Sequence, residues 1–339
     1  MSELRLDPVT RRWIVTGKRE VMPDVLDSGA LCPFCPGNEQ FTPQPTCEVR
    51  DSTGAWVVRS FHDRAPLFRI EGGFDRRGEG IFDRMNTVGA HEIIVETPQH
   101  GVTLSRLPLE QITKVIEVCR DRILDLKRDH RFRYVSLFRD QHPPAPSVRG
   151  HSHGEILATP VLPQLLEIEL RWSMVHFQKK DRCLHCDIIQ QELQEGKRIV
   201  DENNDFVALC PFASHSPYEL WLLPLVHSSS FEKDTLKPGA ASALASFLKS
   251  CLERIEKLSD TLHLVLHTEP NLGAHKPTKD WWKSIPEDFH WHIEIHPDVE
   301  GVRRYLGSRG FFFNPIPAEQ AAVVLRALEP GTEVEPPSS

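Results

Sequence analysis

The chain has 339 residues, a formal net charge of -8 at pH 7, 26% charged and 40% hydrophobic residues. These are the proportions of an ordinary globular protein long enough for two domains or one large duplicated one. The negative balance gives no electrostatic reason to expect nucleic acid as a partner. No apolar run is long enough to span a membrane. The opening Met1-Ser2-Glu3-Leu4-Arg5 lacks the apolar region of a signal peptide. We therefore expect a cytoplasmic protein with no membrane partner.

In chain order, residues 4–21 predict a turn and a short strand around Trp13-Ile14-Val15, followed by Cys32-Pro33-Phe34-Cys35 in a loop. Residues 55–59 and 67–70 are strand-like. His91-Glu92-Ile93-Ile94-Val95-Glu96 alternates as a strand does and ends at Thr97-Pro98-Gln99-His100. From Pro108 to Arg128, Leu109, Ile112, Val115, Ile116, Cys119, Ile123 and Leu126 recur at helical spacing. A strand over Arg133 to Phe138 and a Pro-rich loop lead to Gly150-His151-Ser152-His153-Gly154-Glu155. A helix over 163–178 then crosses to Cys183-Leu184-His185-Cys186. Strands are expected at 205–209, 218–224, 262–267 and 289–296, with helices over 239–257 and 317–328. The Pro/Glu/Ser tail from residue 330 reads as disordered.

The series repeats. Each half runs through C-x-x-C, a strand ending near a histidine, a long helix, a strand, a loop and H-x-H-x-E, the second being His290-Trp291-His292-Ile293-Glu294. The predicted fold class is α+β: duplicated halves (1–178 and 179–329), each an antiparallel sheet backed by a helix, joined into one extended sheet. Eight cysteines include two C-x-x-C pairs, which in such a chain read as metal or redox motifs before disulfides. With two histidines each they make two sets of four soft or borderline ligands. Cys32, Cys35, His100 and His151 form one; Cys183, Cys186, His227 and His290 form the other. Each set suits a tetrahedral structural Zn2+, whereas free buried thiols or a redox pair would need no histidines. His91 competes with His100 for the third position. His185, between two cysteines, is expected to point away from the metal. Cys119 and Cys251 read as core.

On a strand, residues two apart share a face, so His151, His153 and Glu155 would line one wall. If His151 binds metal, His153 is presented as an imidazole that can attack phosphorus and later leave. Such a site must neutralise phosphate charge; the candidates are Arg19, Arg64, Ser147 and Arg149.

These motifs resemble the galactose-1-phosphate uridylyltransferase family of the histidine-triad superfamily. The resemblance covers most of the chain, including Asp7-Pro8-Val9-Thr10, Cys32-Pro33-Phe34-Cys35-Pro36-Gly37-Asn38-Glu39, Glu92 to His100, and Phe313-Asn314-Pro315. It implies a homodimer of histidine-triad-like halves. It also implies ping-pong transfer from a nucleoside-diphosphate sugar to a sugar 1-phosphate or phosphate, through a nucleotidyl-histidine on His153. Arg19 would approach the nucleotide phosphates.

The chain departs from the family pattern in four places. Glu155 stands where the family has a Gln that donates to the phosphate, and Asp63 where it has an Asn near the nucleoside. Asp140-Gln141-His142-Pro143-Pro144-Ala145-Pro146-Ser147 replaces an Asn and a Gly-Ala-Ser run; prolines remove backbone donors, which Arg149 would offset. A Glu near the sugar is missing around Arg309-Gly310. Two rivals to the transferase therefore stand. One is a phosphorylase or hydrolase that shares His153 and uses Glu155 as a base. The other is a zinc-stabilised binding protein without turnover.

Overall fold

The computed structural model describes residues 2–17, 32–143, 150–274, 282–299 and 312–331. Arg19, Ser147, Arg149, Arg309-Gly310 and nearly all of the expected tail lie outside them. No helix among the described residues is long and apolar enough to cross a membrane.

Among the described residues fourteen strands form two sheets. The small sheet takes β1 (Glu3–Leu6), β2 (Trp13–Thr16), β5 (Arg77–Glu79) and β6 (Phe82–Asn86), in the order β2-β1-β6-β5. The large sheet has ten strands. From the first half come β3 (Pro45–Arg50), β4 (Trp56–His62), β7 (Ala90–Val95), β8 (Tyr134–Gln141) and β9 (His153–Thr159). From the second come β10 (Ile199–Glu202), β11 (Phe206–Leu209), β12 (Leu220–Pro224), β13 (Leu262–His267) and β14 (His292–Pro297). The order is β10-β11-β12-β14-β13-β8-β9-β7-β4-β3. Read inward from either edge, the first, second, third, fifth and fourth strands of a half follow one another. The halves meet at the antiparallel pair β8 and β13, where Leu266 faces Leu137 and Leu262 faces Gln141.

Alternation along the strands sorts side chains between two layers. On one face lie α1 (Leu109–Leu126), α5 (Ala240–Glu256) and α7 (Ala318–Ala327). Ile112, Val115, Ile116 and Cys119 of α1 and Leu244, Leu248 and Cys251 of α5 share one core with Ile94, Ile156, Ala158, Leu264, Leu266, Ile293 and Ile295. Ile156 and Ala158 point into this core. The pleat therefore sends His153, Glu155 and Leu157 to the opposite face. The same holds for Ile293 and Ile295 against His292, Glu294 and His296. The opposite face is covered in part by α2 (Gln164–Lys180) and α3 (Leu184–Glu195), and two single-turn helices, α4 (Phe231–Asp234) and α6 (Ile285–Asp288), pack against α1 and α2. Leu166 and Leu170 pack with Tyr134, and Ile189 with Val207, Leu209 and Leu223.

Two expectations change, and one helix is unforeseen. Residues 67–70 form no strand: Phe68 packs with Leu4 and Met85 of the small sheet, and Arg69 makes only an isolated bridge to Val88. The strand expected from residue 289 begins at His292, with His290 and Trp291 ahead of it. The segment after Cys183 is a helix, α3, which ends at Gly196 in the left-handed region (φ 66°), a common helix stop. Strands β1, β3, β5, β6 and β10 were not anticipated; short strands leave little periodicity to read.

Leu266 is 1% exposed beside the seam between the halves. Leu266→Ala is expected to cost about 2–5 kcal/mol, read as a lower denaturation midpoint. An unchanged midpoint would mean that this core does not hold the halves together.

Candidate active site and metal centres

Cys32 and Cys35 sit on a tight turn, closed by the Cys35 N–H donating to the Cys32 carbonyl at 3.3 Å and the Asn38 amide donating to the same carbonyl at 2.8 Å. His151 arrives just ahead of β9, and His100 follows β7. Their Nδ1 atoms are 3.3 Å apart. Cys32 Sγ is 3.6 Å from His151 Nδ1; Cys35 Sγ is 3.5 Å from His100 Nδ1 and 3.7 Å from His151 Nδ1. A tetrahedral zinc with ordinary bond lengths has N···N edges of about 3.3 Å and S···N edges of about 3.6 Å. The donor set therefore fits a metal. Cys183, Cys186, His227 and His290 make a second group of this kind, with Cys186 Sγ 3.4 Å from His227 Nδ1 and 3.5 Å from His290 Nδ1.

The tautomers agree with ligation. Nε2–H of His151 donates to the Thr97 carbonyl at 2.7 Å, that of His290 to Pro224 at 2.9 Å and that of His227 to Pro286 at 3.0 Å. Each bond leaves Nδ1 as the lone pair facing the sulfurs. Burial pushes the Cys32 thiol up to about 11 and His151 down to about 4. Without a cation the pair stays neutral; a dication reverses the thiol's preference. The structure places His100 in the first group and His91 elsewhere. His185 belongs to neither group; its ring lies 4.9 Å from that of His292.

His153 opens β9. Its Nδ1 lies 2.6 Å from the His151 carbonyl, a contact that takes Nδ1–H and turns the Nε2 lone pair outward. Phe34, from the C-x-x-C turn, meets the rings of both His151 and His153 edge-on, at 5.9 and 5.4 Å. The backbone between them is held from behind. Ser152 donates to Glu96 at 2.5 Å and accepts from Arg139 at 2.9 Å, and Arg139 also pairs with Glu96 at 3.1 Å, all three being buried.

Glu155 reaches the fully buried ring of His91, 2.7 Å from Nε2, while Asp63 lies 3.2 Å from Nδ1. Asp63 and His91 help line a cleft of about 490 Å³ with Arg64, Pro66, Phe68 and Arg69. That volume is in the range of small-molecule sites. Gly89 lies beside it; a Cβ there would meet the Ala158 carbonyl oxygen at 2.2 Å.

In the second half the face equivalent to His153 and Glu155 is filled with charged groups. Glu169 of α2, His267 of β13 and His292 form a third group able to hold a cation. Glu169 bonds His267 at 2.9 Å, and its carboxylate holds the His267 imidazole up to about 9 against the cost of burial. Sequence reading missed Glu169 and His267. A lone Glu on a helix and a lone His at a strand end carry no spacing signal; only the topology brings them to His292.

No family model matches the chain. It is 28% identical to ADP-glucose phosphorylase of Arabidopsis thaliana over 96% of this chain and 93% of that one. It is 26% identical to galactose-1-phosphate uridylyltransferase of Thermotoga maritima over 97% and 99%. Among solved structures, a uridylyltransferase superposes with a TM-score of 0.76 at 25% identity, covering 96% of this chain and 98% of that one. The Arabidopsis thaliana ADP-glucose phosphorylase with bound ADP-glucose superposes with 0.71 at 27%, covering 96% and 99%. The chain is a divergent homologue of the galactose-1-phosphate uridylyltransferases and of ADP-glucose phosphorylase, and it shares their fold.

Proposed function

We propose that this protein is a nucleotidyltransferase of the hexose-1-phosphate uridylyltransferase type, with His153 as nucleophile. The observation that carries it is the contact from His153 Nδ1 to the His151 carbonyl, which aims Nε2 away from the strand. Nε2 attacks the α-phosphorus of a nucleoside-diphosphate sugar. The bond to the bridging oxygen breaks, and sugar 1-phosphate leaves with the electron pair. An acceptor phosphate oxygen then attacks the same phosphorus, and the P–N pair returns to Nε2. A phosphate oxyanion needs no base to attack, so a sugar 1-phosphate and inorganic phosphate both suit the second step. The names of the relatives support both acceptors.

Two Zn2+ per chain fit the two Cys2His2 groups, where the metal supplies structure rather than chemistry. At the first site the protein's own contribution is to fix His151 and, through its carbonyl, the orientation of His153. The cleft holding Asp63, Arg64, Phe68 and Arg69 suits the nucleoside. Arg19, Ser147 and Arg149 remain our candidates for the phosphates. We also propose a cytoplasmic homodimer, with the halves divided near residue 178; these rest on the family resemblance and the repeated strand order.

His153→Ala is expected to lower transfer by roughly 10³-fold or more while zinc content and melting temperature hold. Intact mass after brief incubation with UDP- and ADP-sugars should show a nucleoside-monophosphate adduct on the wild type and none on the variant. Retained turnover in the variant would remove His153 as nucleophile. Cys183→Ser is expected to lower bound zinc by about one equivalent per chain and to destabilise the second half. Unchanged metal content would rule out the second centre.

A further inference from the structure

Glu155 follows His153 by two residues on the same face of β9, with the two Cα atoms about 6.6 Å apart. A carboxylate there can swing to a phosphate carried on His153 Nε2 and would repel it. It is held the other way. On the neighbouring strand His91 lies diagonal to Glu155, since Ile93 pairs with Glu155 and His91 with Leu157. Its Nε2 lies 2.7 Å from one carboxylate oxygen of Glu155. The ring is 1% exposed and cannot turn aside: Asp63 lies 3.2 Å from Nδ1, and the Leu67 N–H points at the same nitrogen from 3.4 Å. Two acids thus flank one buried imidazole that lines the cleft.

We propose that His91 is a positioning residue that tethers the Glu155 carboxylate against β7 and so keeps its charge off the nucleotide phosphate. The Leu67 N–H holds the ring from the far side by donating to Nδ1, which leaves Nε2–H for Glu155. Glu155 then acts neither as phosphate ligand nor as base; it is an acid that this site tolerates because His91 holds it. The inference rests on His153 being the nucleotidyl-carrying residue.

The test is a double-mutant cycle of His91→Ala, Glu155→Gln and the combination. Calorimetric affinity for UMP and AMP is one readout; the rate of nucleotidyl-enzyme formation by intact mass is the other. His91→Ala releases a mobile carboxylate and should weaken nucleotide binding and slow adduct formation by roughly tenfold to a hundredfold. Glu155→Gln removes the charge and should bind a few-fold tighter than wild type. The double variant should match Glu155→Gln within about threefold, because nothing is left to tether. That rescue is what a merely structural role of His91 would not give.

If the double variant stays as impaired as His91→Ala, the tether is overturned. If Glu155→Gln alone loses as much as His91→Ala, Glu155 takes part in the reaction and the tether is again overturned. Should His91→Ala fold poorly, His91→Asn takes its place in the same cycle. The two readouts separate this inference from the proposed chemistry. Absence of an adduct on every protein refutes nucleotidyl transfer through His153, while the affinity cycle still decides the tether. A wild type that binds neither nucleotide overturns both.

Discussion

The site depends on the clamp around His151. Cys32, Cys35 and His100 come from a turn and a strand end, and each is brought to the segment just ahead of β9. That clamp fixes where the strand begins, and the strand's two-residue period does the rest. With Ile156 and Ala158 committed to the core under α1, His153 and Glu155 have no choice of face. A one-residue slip would bury the nucleophile and expose the core. The carbonyl that orients His153 belongs to the clamped residue itself. Position, face and tautomer of the histidine therefore follow from one set of contacts.

Both faces of the sheet carry charge near the site, and the fold meets this by pairing. Glu92 receives a two-point contact from Arg122 at 2.8 Å on each oxygen, and Glu96 shares Arg139 with Ser152. Buried acids with such partners are held rigidly, whereas breaking one pair would leave a buried polar group without its partner. Asp63, His91 and Glu155 follow the same rule with an imidazole in the middle. Asp140 has a partner too, bonded to His263 at 2.5 Å.

The two halves show how one framework diverges. Both carry the Cys2His2 group and the H-x-H-x-E strand in the same strand order. In the first half His153 is half-buried and lines a small pocket with Thr103, Asp140 and His142. In the second, His292 is buried, with the His267 and His185 rings 4.6 and 4.9 Å away and Glu169 beside it. A histidine packed this way has no approach for a phosphate. The helix beside it, α2, comes from the end of the first half and contributes Glu169. The first half thus helps to fill the face that carries the second half's histidine.

Much of this was legible in the residues. The long helices announced themselves through apolar spacing, and α1, α5 and α7 lie within two residues of their expected ends. The two Cys2His2 groups could be named because spacing and order repeat, and a repeated order is hard to reach by chance. The seam between the halves could be foreseen only as one extended sheet, and α3 not at all. Residues 67–70 misled because apolar character without a ladder partner looks the same as a strand. What the sequence by itself determined is chemistry that lies close together along the chain: which atoms can bind metal, which imidazole follows a clamped one, which helices exist. Only the tertiary structure decided chemistry between strangers. His91 sits beside Glu155 because β7 and β9 are neighbours in the sheet, 64 residues apart in sequence. Hydrogen bonds and charge pairs act over a few ångströms of space, and periodicity along a chain carries no record of which distant strand will lie there.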